Sequence, residues 1–208
     1  MKMMTRVLAA AALVAGLAGT SVLAQQAQTV RVRGTIEKVD GDLLTVKSRE
    51  GNDLKLKLKD HAVVRGIVKA SLADIKAGVV VGITSMPQAD GSLKAVEIHI
   101  FPAGQNVNQF HGSWDLLPNS QMTNGAVQTS VAGVDGQVLT VEYTARDKPP
   151  EQKKITVTPQ TIIVGYAPAT KAELKQGQKI FVANAPKLPD GTLDVATISY
   201  GKDIAPPM

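Results

Sequence analysis

Val39-Asp-Gly-Asp-Leu-Leu-Thr-Val46 is written a second time in the chain, as Val134-Asp-Gly-Gln-Val-Leu-Thr-Val141. Each line carries an Asp-Gly turn signal, where glycine tolerates the positive φ of a tight hairpin, and then the apolar alternation of a strand. Two further blocks repeat in the same order. Ser71-Leu-Ala-Asp-Ile-Lys-Ala-Gly78 returns as Thr170-Lys-Ala-Glu-Leu-Lys-Gln-Gly177, and Asp90-Gly-Ser-Leu93 returns as Asp190-Gly-Thr-Leu193, followed by Ile98 and Ile198. The second copy inserts Asp147-Lys-Pro-Pro150 between its first two blocks. Chance similarity does not keep three blocks in register, so the chain is a duplication.

Each copy reads as strands with one short helix. Val30 to Val39 alternates Val and Arg before Gly34-Thr-Ile, a strand with one polar face. Leu43 to Ser48 and Leu54 to Lys59 are the next strands, parted by the turn-like Glu50-Gly-Asn-Asp53. Ser71 is placed to cap a single helical turn through Asp74 and Lys76, and Gly78 ends it. Val79 to Met86 and Leu93 to Phe101 complete the set. The expected fold is all-β: two tandem small OB-like five-stranded barrels, each with one short helix between strands 3 and 4. A pair of SH3-like barrels or one fused sandwich is the competing arrangement. The expected division is domain 1 over 25–101, a linker over 102–124, domain 2 over 125–203 and a tail over 204–208.

The N-terminus reads as a signal peptide over 1–24. Lys2 and Arg6 precede an apolar run from Val7 to Ala18, and Val22-Leu23-Ala24 offers the small residues of a cleavage site. That run is too short to cross a ~30 Å hydrocarbon core, and no later stretch is long enough, so the expected location is periplasmic or secreted. There is no cysteine, which removes disulfides, thiol catalysis, thiolate metal sites and a lipid anchor. The net charge of +5 falls once Lys2 and Arg6 are cleaved, and the remaining excess lies in the first copy. So small a surplus does not predict nucleic-acid binding.

The pattern Gly34-Thr-Ile, Val39-Asp-Gly, Leu44-Thr-Val46, then Leu72-Ala-Asp-Ile-Lys-Ala-Gly78 and Asp90-Gly-Ser-Leu-Lys-Ala95, resembles a family of bacterial exported OB-like domains. It covers the first copy well and the second more loosely. With Trp114-Asp-Leu-Leu-Pro118 and Met122-Thr-Asn124, the whole chain resembles alphaproteobacterial periplasmic proteins often labelled metal ABC transporter permease. A helical permease needs several spanning helices, and this sequence offers none after the signal. The resemblance implies a fold and a compartment. It brings no catalytic residues.

Three places stand out for chemistry. Strict alternation in Leu54-Lys-Leu-Lys-Leu-Lys59 puts Lys55, Lys57 and Lys59 on one face, where Lys47 and Arg49 of the preceding strand can join them. On the usual ligand face of an OB domain, these five cations suit an anionic envelope component such as lipopolysaccharide phosphate or an acidic polysaccharide. The face has no stacking aromatics for single-stranded nucleic acid, and edge lysines also serve simply to keep strands soluble. Glu97, His99, His111 and Asp115 form the second place, an N/O set suited to Zn, Cu or Ni if the chain folds back on itself. Satisfied or surface histidines are the plain alternative. The linker is the third, with the only Trp, and Phe110 and Trp114 either seal the domains together or line a groove between them.

Enzyme motifs are missing: no nucleophile elbow, no zinc-protease helix, no phosphate loop. The expectation is a non-enzymatic binding protein without cofactor, for an anionic envelope ligand. The alternatives are a metal-binding accessory of a transport system and a structural module docked to an envelope protein.

Overall fold

The computed structural model describes residues 28–134 and 136–206. The expected signal segment 1–24 lies outside those residues, as do Asp135 of the second hairpin and the end of the 204–208 tail. The first copy forms β1 (Thr29–Asp40), β2 (Leu43–Ser48), β3 (Asp53–Lys69), β4 (Val80–Pro87) and β5 (Leu93–Ile100). β6 (Phe110–Ser113) follows. The second copy forms β7 (Gln121–Gly133), β8 (Gly136–Tyr143), β9 (Glu151–Val157), β10 (Ile162–Ala169), β11 (Lys179–Pro186) and β12 (Leu193–Gly201). The strands are where apolar and polar residues alternate. In β3, Leu56 and Leu58 are buried while Lys55, Lys57 and Lys59 are exposed, as period two requires.

One closed five-stranded barrel is built in the order β12-β11-β1-β2-β3, and β12 closes it by lying parallel to β3. Its core joins Val32, Leu44 and Leu56 of the first copy to Ile180, Val195 and Ile198 of the second. A second ring runs β5-β4-β7-β8-β9 and is joined where Leu93 meets Ile155 and Lys94 meets Thr156. Its core joins Val81, Ile83 and Ile98 of the first copy to Val127, Leu139 and Ile155 of the second. Each ring therefore takes three strands from one copy and two from the other. This corrects the division into 25–101 and 125–203: the copies have exchanged their last two strands, so neither interval packs as a unit.

The exchange runs through β3 and β10. β3 is 17 residues long, well beyond the expected stop at Lys59, because its second half finds new partners in β10 and β12. β3 and β10 pair antiparallel with Ile67 opposite Tyr166. Ile67 lies four residues before Ser71, and Tyr166 four before Thr170, so each faces its own counterpart in the repeat. A local two-fold axis passes between them.

The helix expected after the third strand is a single 3-10 turn in each copy, Leu72–Asp74 and Lys171–Glu173. The caps are those of a helix: Asp74 accepts the Ser71 amide at 2.8 Å and Glu173 accepts the Thr170 amide at 2.9 Å. Yet Ile75 and Leu174, the cap residues, are already extended, so no helical ladder builds. The 102–124 segment likewise contains regular structure. β6 pairs with the first part of β7, and residues 114–120 form the end of that hairpin. No helix among the described residues is long and apolar enough to cross a membrane.

Candidate functional site

The site begins with a bulge. β5 pairs with β4 as Ala95 opposite Ser85 and Glu97 opposite Thr84, which leaves Val96 as an extra residue. Before it, Leu93 and Ala95 point into the second ring's core. After it, the core positions become Ile98 and Ile100. One inserted residue thus turns Glu97 and His99 outward, towards the barrel. The matching place in β12 shows the same change of face, its core residues being Leu193 and Val195 and then Ile198 and Tyr200.

His99 and Glu97 touch, Nδ1 to Oε1 at 2.5 Å, and both are buried, Glu97 to 1 % exposure. The approach lacks the alignment of a hydrogen bond. Thr84 Oγ1 donates to the other carboxylate oxygen at 3.5 Å, at the long limit of such a bond. Beside His99, Phe101 and Tyr166 stack with ring centres 6.0 Å apart and planes at 18°. The Arg65 guanidinium stands 5.5 Å from the Tyr166 ring centre. Burial, and then the charge of Glu97, pushes the Tyr166 phenol far above its ordinary pKa, with Arg65 pulling the other way.

Arg65, His99, Phe101 and Tyr166 line a cleft of about 500 Å³ between the barrel and the second ring, with Glu97 behind His99. Phe101, Trp114 and Phe181 supply aromatic surface. Asn106, Asn108, Asn124 and Asn184 supply amides, and Thr197 and Ser199 hydroxyls. Among the described residues the ionisable lining side chains are Arg65, His99 and Tyr166, with no carboxylate among them. Among the described residues no carboxylate forms an ion pair with Arg65.

The hairpin end at 114–120 is held on the barrel by arginines. Asp115 receives Arg31 at 2.9 Å and Arg33 at 2.8 Å, and Arg49 donates to the Asp115 carbonyl at 3.1 Å. Arg31 also lies over the Trp114 ring, 3.8 Å from its centre, and Arg33 over Phe181 at 4.8 Å. Burial tends to raise the Asp115 pKa, but the hydrogen bonds from Arg33 and Arg31 outweigh it and hold the carboxyl below its ordinary value. Burial of Arg33 lowers that guanidinium in turn, against the pull of Asp115.

Four of the five expected ligand cations share the outer face of β2 and β3, Arg49 lies in the turn between those strands, and three of the five are engaged. Lys47 pairs with Asp53 at 2.7 Å, Lys59 with Asp194 at 3.0 Å, and Arg49 with Glu50 and the hairpin end. Lys55 and Lys57 are exposed. Phe110 and Trp114 are half-buried, tilted against each other with centres 6.3 Å apart. Trp114 both fastens the hairpin and lines the cleft, so the seal and the groove are one structure.

The fourfold set Glu97, His99, His111 and Asp115 is not assembled. Phe110, Asn124, Gly82 and His99 form one cross-strand row, and His111, Thr123, Ile83 and Ile98 form the next. Neighbouring rows point to opposite faces, so His99 faces the cleft and His111 the side of the second ring's core. There His111 Nδ1 lies 2.9 Å from Thr123 Oγ1, and burial, then the Lys153 charge, lowers its pKa. Asp115 belongs to the arginines. Among the described residues no group of three or more His, Asp or Glu side chains is arranged to hold a metal.

Sequence reasoning missed Arg31, Arg33, Arg65, Phe101 and Tyr166. The Val-Arg alternation of Val30 to Arg33 marks an outward arginine pair that was legible. Arg65 and Tyr166 had no local signal, because their strands gain order from the exchange. No family model matches this chain, and neither a curated protein nor a solved structure does.

Proposed function

We propose that the protein is an exported, non-enzymatic binding protein, periplasmic or secreted, that takes an anionic envelope ligand in the cleft between the two rings. One observation carries the reading: Arg65 lines a cleft whose described lining residues include no carboxylate to neutralise it. A buried or half-buried cation without a partner is costly, and a ligand anion is the partner that relieves it. The exposed lysine face supports the reading less, since acidic neighbours already occupy most of it. The order β1-β2-β3-β12-β11 is that of an OB barrel whose last two strands come from the other copy. That supports the resemblance to exported OB-like domains.

Native mass spectrometry of full-length protein taken from the periplasmic fraction tests the proposal. An anionic adduct is expected on the wild type and on a Lys55→Glu, Lys57→Glu variant, and is lost on Arg65→Glu. Loss with the lysine variant and retention with Arg65→Glu moves the site back to the strand face.

Docking to an envelope protein is a second reading, favoured by β6. Among the described residues that strand pairs only with β7, so its other edge offers backbone groups to an incoming strand. A photocrosslinker at Ser113 that captures one discrete partner in cells is the outcome this reading expects.

A further inference from the structure

Resting on the anion reading of the cleft, we infer that the ligand is an acidic saccharide: sugar rings rich in hydroxyls and carrying a carboxylate. Three features of the lining point to it. Its volume, about 500 Å³, falls within the roughly 300–1,000 Å³ of small-ligand sites.

The first feature is the kind of polar group. Four asparagines, with Thr197 and Ser199, each both donate and accept hydrogen bonds. Hydroxyls of a sugar do the same, so either partner can take either role around the ring. A purely aliphatic acid leaves such groups unpaired, at a cost.

The second is the aromatic surface. Phe101 and Tyr166 are stacked and held, Phe101 lying against Gly82, where an added Cβ meets its Cε2 at 3.1 Å. Trp114 flanks the same space. Flat rings with fixed faces suit the C–H faces of a pyranose, which are apolar while the rim is polar.

The third is the number of cations. Phosphate groups are generally gripped by several donors and charges at one point, but Arg65 is the one arginine or lysine among the described lining residues. A single planar guanidinium matches a single carboxylate in bidentate fashion. His99, held against Glu97, adds one more ring nitrogen at the cleft wall.

Calorimetric titration of the full chain tests this, with Trp114 emission followed in parallel. The probes are galacturonate, glucuronate and mannuronate di- and trisaccharides, the neutral disaccharides of the same sugars, glycerol phosphate and inorganic phosphate. At least one uronate oligomer is expected to bind and shift the emission. The matching neutral sugar should bind about tenfold or more weakly, as loss of one charge-assisted pair implies. Arg65→Gln should weaken the uronate about tenfold and leave the neutral sugar unaffected, and Phe101→Leu should weaken both. Equal binding of neutral and acidic sugars overturns the inference. Arg65-dependent binding of the phosphates, with none of the uronates, overturns it while the anion reading stands. No binding of any anion, with no anionic adduct on protein from the periplasm, removes both. Far-UV circular dichroism of each variant separates lost binding from lost folding.

Discussion

Asp115 is where one residue holds two parts of the chain. Its carboxylate neutralises Arg33, which is 4 % exposed, and steadies Arg31 over Trp114. Asp115→Ala leaves a buried guanidinium unpaired, and the expected cost is about 1–3 kcal/mol, less than a fully buried pair because Asp115 itself is partly in water. Urea unfolding measures it, and an unchanged midpoint shows the clamp carries no weight. The pH dependence has a definite sign. The folded pKa of Asp115 is depressed, so its contribution is complete above the ordinary carboxylate range and is lost as pH falls through the folded value. Trp114 emission should shift red on acidification below that range, and Asp115→Asn should abolish the pH-dependent step. Trp114→Ala is expected to cost about 2 kcal/mol rather than the ~3–5 of a core aromatic, since the ring is only half-buried. The sequence singled out Trp114 and Asp115 but assigned the latter to a metal. A carboxylate near a histidine in sequence looks the same as one near an arginine in space.

Among the elements, the first long strand of each copy, β1 and β7, lies close against its neighbour, and a glycine permits it. A Cβ on Gly34 would sit 2.4 Å from the Lys47 carbonyl oxygen, and one on Gly125 would sit 2.2 Å from that of Glu142. Both obstacles are backbone, which cannot swing aside. Gly34→Ala and Gly125→Ala are each expected to lower stability by about 1–3 kcal/mol or more, read from thermal melts, and similar losses in the two rings will reflect their common plan. Alternation made the strands and their faces legible: Leu56 and Leu58 inward, Lys55 and Lys57 outward. It failed at the bulges. Counting by twos from Leu93 sends Glu97 and His99 into the core, and only the pairing of Ala95 with Ser85 and Glu97 with Thr84 shows the slip at Val96. It failed again beyond Lys59, where Asp60-His61 breaks the pattern of a strand that its partners nonetheless extend to Lys69. The helix signal was read from caps alone, and caps bound a single 3-10 turn as well as they bound a helix.

For the whole molecule, duplication was legible and the exchange was not, for a physical reason. The two copies are alike, so Val32 and Leu56 pack against Ile180 and Ile198 in the same way they would against Val81 and Ile98. Local sequence specifies which strand types pair, and leaves open which copy supplies them. Connection geometry decides that, through β3 and β10. Because each ring depends on both copies, unfolding should be one transition: curves from Trp114 emission and from far-UV circular dichroism are expected to superimpose in urea. Two separated transitions would show that the rings fold independently. The exchange also sets an order in time. A chain made and threaded N-terminus first presents β1, β2 and β3 early, but the strands that close their barrel, β11 and β12, arrive last. Contacts such as Val32 with the Ile198 region span most of the chain, which makes closure slow and leaves the early strands open meanwhile. Truncation after Ala169 accordingly strikes at the opposite end from the cut: it strips both closing strands from the N-terminal barrel and leaves the strands of the later ring in place. On the export proposed above that delay is useful, since the N-terminal barrel cannot shut before its last residues appear and its strands stay open while the chain is passed through a membrane.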